Sequence, residues 1–96
     1  MKYHQGDIVL EPIGSIPDDA KFLRKNTVVY GEITGHAHVI EDAEIYEKDG
    51  IVYVRVITDN PMTHEDHPAT EIIPQRDYRV RRQVEYFPDG SRQVKD

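Results

Sequence analysis

Short runs of β-branched and aromatic residues, separated by turn-forming residues, dominate the hydrophobic pattern of the chain. Few segments show helical spacing, in which apolar residues recur every three or four positions. Many short strands with frequent turns are typical of small all-β folds, so we expect a small antiparallel barrel or sandwich of about six to eight strands. The predicted strands are Ile8–Ile13, Thr27–Ile33, His36–Glu41, Ala43–Lys48, Ile51–Ile57, Thr70–Ile73, Tyr78–Phe87 and Arg92–Lys95.

The clearest local signal is the dipeptide Asp49-Gly50, which lies between two of these β runs. A type I′ hairpin turn needs positive φ at both central residues, and Asp-Gly accommodates it. Val52, Val54 and Val56 would then face the core. A two-residue turn predicts the cross-strand pairs Tyr46–Tyr53, Ile45–Val54 and Glu44–Arg55.

Four connections complete the pattern. At most one short helical turn is expected, at Pro17–Leu23, because proline and aspartates suit a helix N-terminus. Pro74–Asp77 is a predicted turn, and Pro88–Ser91 is a predicted second hairpin turn. Thr58–Ala69 is rich in Pro, Asn, Asp and His. Long loops in compact domains are usually functional or mobile, which makes this connection a candidate functional segment.

Composition narrows the class of protein. The chain has 96 residues, so we expect one β domain over residues 1–96 with a thin core, whose stability can depend on an oligomer or a bound ion. The chain has no cysteine, which excludes disulfides and thiolate metal sites and fits the cytoplasm. No apolar run is long enough to span a bilayer, and the start lacks the apolar stretch of a signal peptide. A net charge of −6 argues against general DNA binding.

Four of the five histidines fall in two clusters, His36-X-His38 and His64-X-X-His67. Residues i and i+2 of a strand point to one face, so His36 and His38 can converge on one ion. His64 and His67 lie in the long connection, from which they can approach the first pair. We expect at least three of the four to meet in space.

Two chemistries suit such a cluster. Three neutral imidazoles leave an open position on a Zn-type ion, which can activate water. Glu44, or one of the other nearby acids, would complete or orient the ligand shell. The alternative is metal-free catalysis, in which one histidine takes a proton and another gives one.

Arg82 is a further candidate, because it lies on the apolar face of its predicted strand, where a core residue is expected. A buried arginine needs an anionic partner. The structural interpretation is a salt bridge to a carboxylate such as Glu32 or Glu71. The functional interpretation is a bound phosphate. Arg79 and Arg81 take the opposite, solvated face of the same strand.

Four stretches together resemble a group of small uncharacterised bacterial and phage-type proteins of about this length. The stretches are Gln5–Leu10, Tyr30–His38, Thr63–His67 and Tyr78–Tyr86, the second and third containing the motifs GHAH and THEDH. The resemblance implies no particular activity. A fainter likeness connects the order His36, His38, Glu44 and His64 to the metal-binding cupins, although the chain is shorter and lacks the cupin glycine and proline spacing.

The leading functional hypothesis is a histidine site of His36, His38, His64, His67 and Glu44 that binds a Zn-type metal. With Arg82, it would hydrolyse a small-molecule or RNA-type phosphoester in the cytoplasm. One alternative is a metal-free histidine-dependent ribonuclease. The other is a non-enzymatic binding or homo-oligomeric assembly module that uses the 58–69 loop.

Overall fold

The computed structural model describes residues 1–30, 36–86 and 92–94, and all of its regular secondary structure is β-strand. The all-β prediction is therefore confirmed. The strands are β1 (Tyr3–Gln5), β2 (Ile8–Pro12), β3 (Lys21–Tyr30), β4 (Ala37–Lys48), β5 (Ile51–Val56), β6 (Met62–Thr63), β7 (Asp77–Arg82), β8 (Val84–Tyr86) and β9 (Arg92–Val94).

Seven strands form one antiparallel sheet in the order β1-β2-β7-β5-β4-β3, with β6 pairing on β4. In the described part of the chain β1 and β3 do not pair with each other, so the sheet is an open barrel or sandwich. β8 and β9 form a separate two-stranded hairpin. No helix in the described ranges is long and apolar enough to cross a membrane.

The β4–β5 hairpin has the predicted register. Tyr46 pairs with Tyr53, Ile45 with Val54 and Glu44 with Arg55. Asp49 and Gly50 have φ values of 51° and 79°, as a type I′ turn requires. The inward side of the sheet forms the core, to which β5 contributes Val54 and Val56, both buried. The other buried apolar residues of this cluster are Tyr3, Ile8, Leu10, Val28, Ile40, Ala43, Ile45, Met62, Ile73 and Tyr78.

The helical turn predicted at Pro17–Leu23 is wrong. Ala20 N donates to Pro17 O at 3.0 Å in a turn, and β3 begins at Lys21. Lys21 and Phe22 pair with β4 in the sheet, and this pairing overrides the weak local preference for a helical turn.

Other predicted boundaries shift because strand pairing continues or stops at positions that carry no local signal. The runs His36–Glu41 and Ala43–Lys48 merge into one strand, β4, since β6 pairs with Ile40 and β5 pairs from Ala43 onward. Thr70–Ile73 is not a strand, and Ile73 makes a single bridge to Asn60. The loop Thr58–Ala69 contains β6.

The long strand predicted at Tyr78–Phe87 is interrupted at Gln83, which separates β7 from β8. Residues 31–33 of another predicted strand lie outside the described residues. The turn predicted at Pro88–Ser91 lies outside them too, although β8 and β9 pair as its hairpin requires.

Candidate histidine site

The pairing of β6 with β4 brings the two histidine motifs together. Val39 pairs with Thr63 and Ile40 with Met62, so the loop after β6 lies beside the start of β4. His38 belongs to β4, and His64 directly follows β6. A local pairing of two residues therefore joins motifs that are almost thirty positions apart in the sequence.

All four histidine rings are neighbours in the structure. The centre of the His64 ring lies 4.3 Å from that of His38, 4.7 Å from that of His67 and 6.0 Å from that of His36. The rings of His38 and His67 are nearly parallel, with centres 6.3 Å apart. His64 is thus the central member of the cluster.

Gln5 orients His38. The side chain of His38 is fully buried, and its Nδ1 lies 3.0 Å from Gln5 Oε1. Gln5 Nε2 donates to the carbonyl oxygens of Met62 and Pro68, both at 3.0 Å. These two acceptors require the amide nitrogen, so the amide oxygen must face the histidine. His38 Nδ1 therefore carries a proton, and in the neutral ring Nε2 carries the lone pair.

His64 has the opposite tautomer. Its Nδ1 accepts a hydrogen bond from the backbone N–H of Asp66 at 3.0 Å, so the neutral ring carries its proton on Nε2. That Nε2 is buried and has no hydrogen-bond partner within the described ranges. The central histidine of the cluster thus presents a buried N–H beside the ring of His38.

His36 contacts two carboxylates of the loop that follows β6. Its Nδ1 lies 2.6 Å from Asp66 Oδ2, and its Nε2 lies 3.2 Å from Glu65 Oε2. Two acceptors on the two ring nitrogens match an imidazolium, which donates from both. With 35% of its side chain exposed, His36 fastens the loop to the start of β4.

Glu44 and Arg82 are engaged by other side chains. Glu44 is six residues after His38 on the same strand, roughly 20 Å along it, and accepts from Tyr46 at 2.9 Å. Arg82 Nη1 donates to Asp7 Oδ2 at 3.0 Å, and the Asp7 side chain is 1% exposed. This buried carboxylate accounts for the position of Arg82 without a bound phosphate.

The salt bridge to a carboxylate expected for Arg82 is confirmed, with Asp7 as its described partner. Glu71 is exposed, and Glu32 lies outside the described residues. Sequence reasoning did not single out Asp7 or Gln5, because both precede the first predicted strand, Ile8–Ile13. The available signal was the alternation Tyr3, Gln5, Asp7, which is buried at every second position.

The cluster has the dimensions of a metal site without forming one. Three imidazoles bound to a tetrahedral ion at about 2.0–2.1 Å have ring centres about 5 Å apart. The rings of His38, His64 and His67 are separated by 4.3–6.3 Å. However, no three ligand groups converge as a formed cation site in the part of the chain that the structure describes.

The fold and the cluster together define a small all-β protein with a partly buried group of four histidines where β6 pairs with the start of β4. The chain belongs to the family described as a domain of unknown function, DUF8820, whose model matches residues 4–83. That match includes all four clustered histidines, Gln5 and Asp7. No curated protein and no solved structure matches the chain.

Proposed function

We propose that the histidine site binds a divalent transition-metal ion of the zinc type through His38, His64 and His67. The observation that carries this proposal is the orientation of His38 by Gln5. Histidine ligands commonly donate their second ring N–H to an oxygen acceptor, which fixes the ring and makes the ligating nitrogen more basic. His38 has this arrangement, with Nε2 left as the ligating atom.

Binding requires a small rearrangement at His64. Its Nε2 is buried and has no hydrogen-bond partner among the described residues, and in the metal complex this nitrogen would lose its proton and bind the ion. Nδ1 would then take up the proton and release the N–H of Asp66. Coordination would also bring His38 Nε2 and a ring nitrogen of His67 to about 2.0–2.1 Å from the same ion.

The chemistry that follows is hydrolysis. Three imidazole ligands leave a fourth position on a zinc-type ion, where bound water loses a proton near neutral pH. An RNA-type phosphoester is the first substrate class to test. His36 is engaged by Glu65 and Asp66 and would hold the loop in place rather than coordinate the ion.

The test is the metal content of protein purified without a histidine tag, followed by zinc titration calorimetry. We expect near-stoichiometric zinc binding that is lost in His38→Ala and His67→Ala. His4→Ala is the matched control, because His4 is exposed on β1 and is the one histidine outside the two motifs. Zinc binding that is equal in His38→Ala and His4→Ala would refute the proposal.

A second candidate is favoured by the hydrogen bond from Asp66 N to His64 Nδ1. It gives the two closest rings complementary tautomers, a lone pair on His38 Nε2 and a proton on His64 Nε2. Such a pair suits metal-free acid–base catalysis, including ribonuclease chemistry. RNA cleavage that persists in chelator but is lost in both His38→Ala and His64→Ala would support it. Cleavage abolished by chelator would exclude it.

A further inference from the structure

An open cleft lies between β5 and β7, outside the histidine cluster. The two strands pair only from Tyr53 to Arg55, so the backbone of Ile51 and Val52 is unpaired on the side facing β7. The cleft that results has a volume of about 460 Å³, within the range of about 300–1,000 Å³ typical of small-molecule sites.

The walls of this cleft combine apolar and cationic side chains. Arg79, Arg81 and Arg82 come from β7. Arg82 pairs with Asp7 and Arg81 with Glu11. Arg79 has no ion pair within the described ranges. The apolar lining residues are Ile8, Val29, Ile51, Val52 and Val80. A ligand that fits has a flat, weakly polar body and an anionic group beside it.

An aromatic residue extends the site along the outer face of the sheet. Tyr53 pairs directly with Arg79 and Tyr46 with Tyr53, so the three side chains form one row next to the cleft. Arg55 stacks over the ring of Tyr46, with its Cζ 5.4 Å from the ring centre. Tyrosine rings beside arginines are the combination that single-stranded nucleic acids use for base stacking and phosphate contacts.

We infer that this cleft binds single-stranded nucleic acid, with a base against the apolar wall and the flanking phosphates on Arg79 and Arg81. The net charge of −6 opposes general binding, but a local group of arginines can attract phosphate against the overall charge. Double-stranded nucleic acid does not fit, since its bases are stacked and unavailable to a cleft that accepts one ring.

The cleft also adjoins the histidine site. Two of its lining residues are sheet partners of the residues that build that site: Ile8 pairs with Gln5 and Val29 with His38. Neighbouring strands lie about 4.8 Å apart, so a strand held in the cleft passes near the cluster. The inference goes beyond the proposed function, which assigned no residue to a substrate, and its test does not depend on metal.

The experiment is fluorescence anisotropy with a labelled 12-nucleotide oligouridylate at several salt concentrations, in chelator. We expect binding that weakens with salt, and a slope of log affinity against log salt that falls by about 0.7 in Arg79→Ala. Tyr53→Ala is expected to weaken binding by about tenfold or more. Arg76→Ala is the matched control, because Arg76 is exposed and lies outside this cleft.

Circular dichroism of each variant checks that the fold is retained, and Arg79→Lys tests whether charge alone restores part of the affinity. Three results would overturn the inference. They are no binding to the wild type at low salt, equal losses in Arg79→Ala and Arg76→Ala, and equal affinity for a duplex of the same length. Binding of uridine monophosphate as tight as that of the oligonucleotide would overturn the assignment to a strand. Loss of zinc binding without loss of RNA binding leaves the inference standing.

Discussion

Replacing Gln5 by methionine tests the central contact of the histidine site. Methionine has nearly the same length and no branch, so it fills the volume without the hydrogen bonds. Gln5 is 4% exposed and makes three contacts of 3.0 Å, to His38 Nδ1, Met62 O and Pro68 O. The substitution therefore removes the hydrogen bonds that Gln5 makes with one donor, His38 Nδ1, and with two acceptors, Met62 O and Pro68 O. These groups belong to β4, to β6 and to the loop after β6, which Gln5 links to β1.

Hydrogen bonds of this kind contribute about 0.5–1.5 kcal/mol each, and a buried partner left unsatisfied costs about 1–3 kcal/mol. We expect Gln5→Met to lower the free energy of unfolding by about 3 kcal/mol. Since small proteins have urea m-values of about 1–3 kcal/mol per molar, the midpoint should fall by about 1 M or more. The assay is urea unfolding followed by circular dichroism.

His4→Ala is the control for this measurement, because His4 neighbours Gln5 on β1 but is exposed, and exposed substitutions usually change stability by less than about 0.5 kcal/mol. A loss below about 1 kcal/mol in Gln5→Met would refute the reasoning. Nitrogen-15 spectra give a second readout. In metal-free wild type, His38 should show a protonated Nδ1 and an unprotonated Nε2, and this pattern should disappear in Gln5→Met.

Three further predictions concern the fold. Arg82→Ala leaves the buried carboxylate of Asp7 without its paired cation and should cost about 3 kcal/mol in urea unfolding, whereas an unchanged midpoint would contradict the pairing. The Cβ that Gly50→Ala adds would meet no atom within 4 Å, but the residue keeps a φ of +79°. Thermal unfolding should therefore show that the free energy of unfolding falls by about 1–2 kcal/mol, from backbone strain alone. Burial and, to a smaller extent, the charge of Tyr3 raise the pKa of Tyr78 to about 12. Because the unfolded value is about 10, the free energy of unfolding should fall as pH rises from about 10 to 12, and Tyr78→Phe should remove that contribution.

The sequence predicted the parts of the fold that short-range chemistry determines. Asp49-Gly50 fixed both the turn and the register of β4 with β5, since a two-residue turn allows only one set of opposing pairs. It did not predict that β4 would continue through Glu41 and Asp42. That continuity depends on long-range pairs directly before and after these polar residues, Ile40 with Met62 and Ala43 with Val56, which override their low strand preference.

The histidines of the candidate site could be predicted from the sequence, whereas the contacts that support them could not. The clustering of histidines in two motifs indicated that they would meet, and the β4–β6 pairing brings all four together. The role of Gln5 depends on carbonyl groups more than fifty residues away, which no local pattern encodes. The same holds for Asp7 and Arg82, which are 75 residues apart in the sequence.

The two proposed functions of the cluster differ by one hydrogen bond, from Asp66 N to His64 Nδ1. Ligation through His64 Nε2 would break that bond at a cost of about 0.5–1.5 kcal/mol. Structural zinc sites in zinc-finger peptides, whose ligands include thiolates, gain about 10–16 kcal/mol near neutral pH, and a three-histidine site needs only a small part of that to offset one hydrogen bond. The His64 tautomer in the structure is therefore no obstacle to zinc binding. If His38, His64 and His67 can reach one ion, available zinc will convert the acid–base pair into a metal site. Acid–base catalysis by these rings consequently requires that zinc be scarce or that the ring of His67 be held away, and His67→Ala distinguishes the cases, because only the metal site needs that residue.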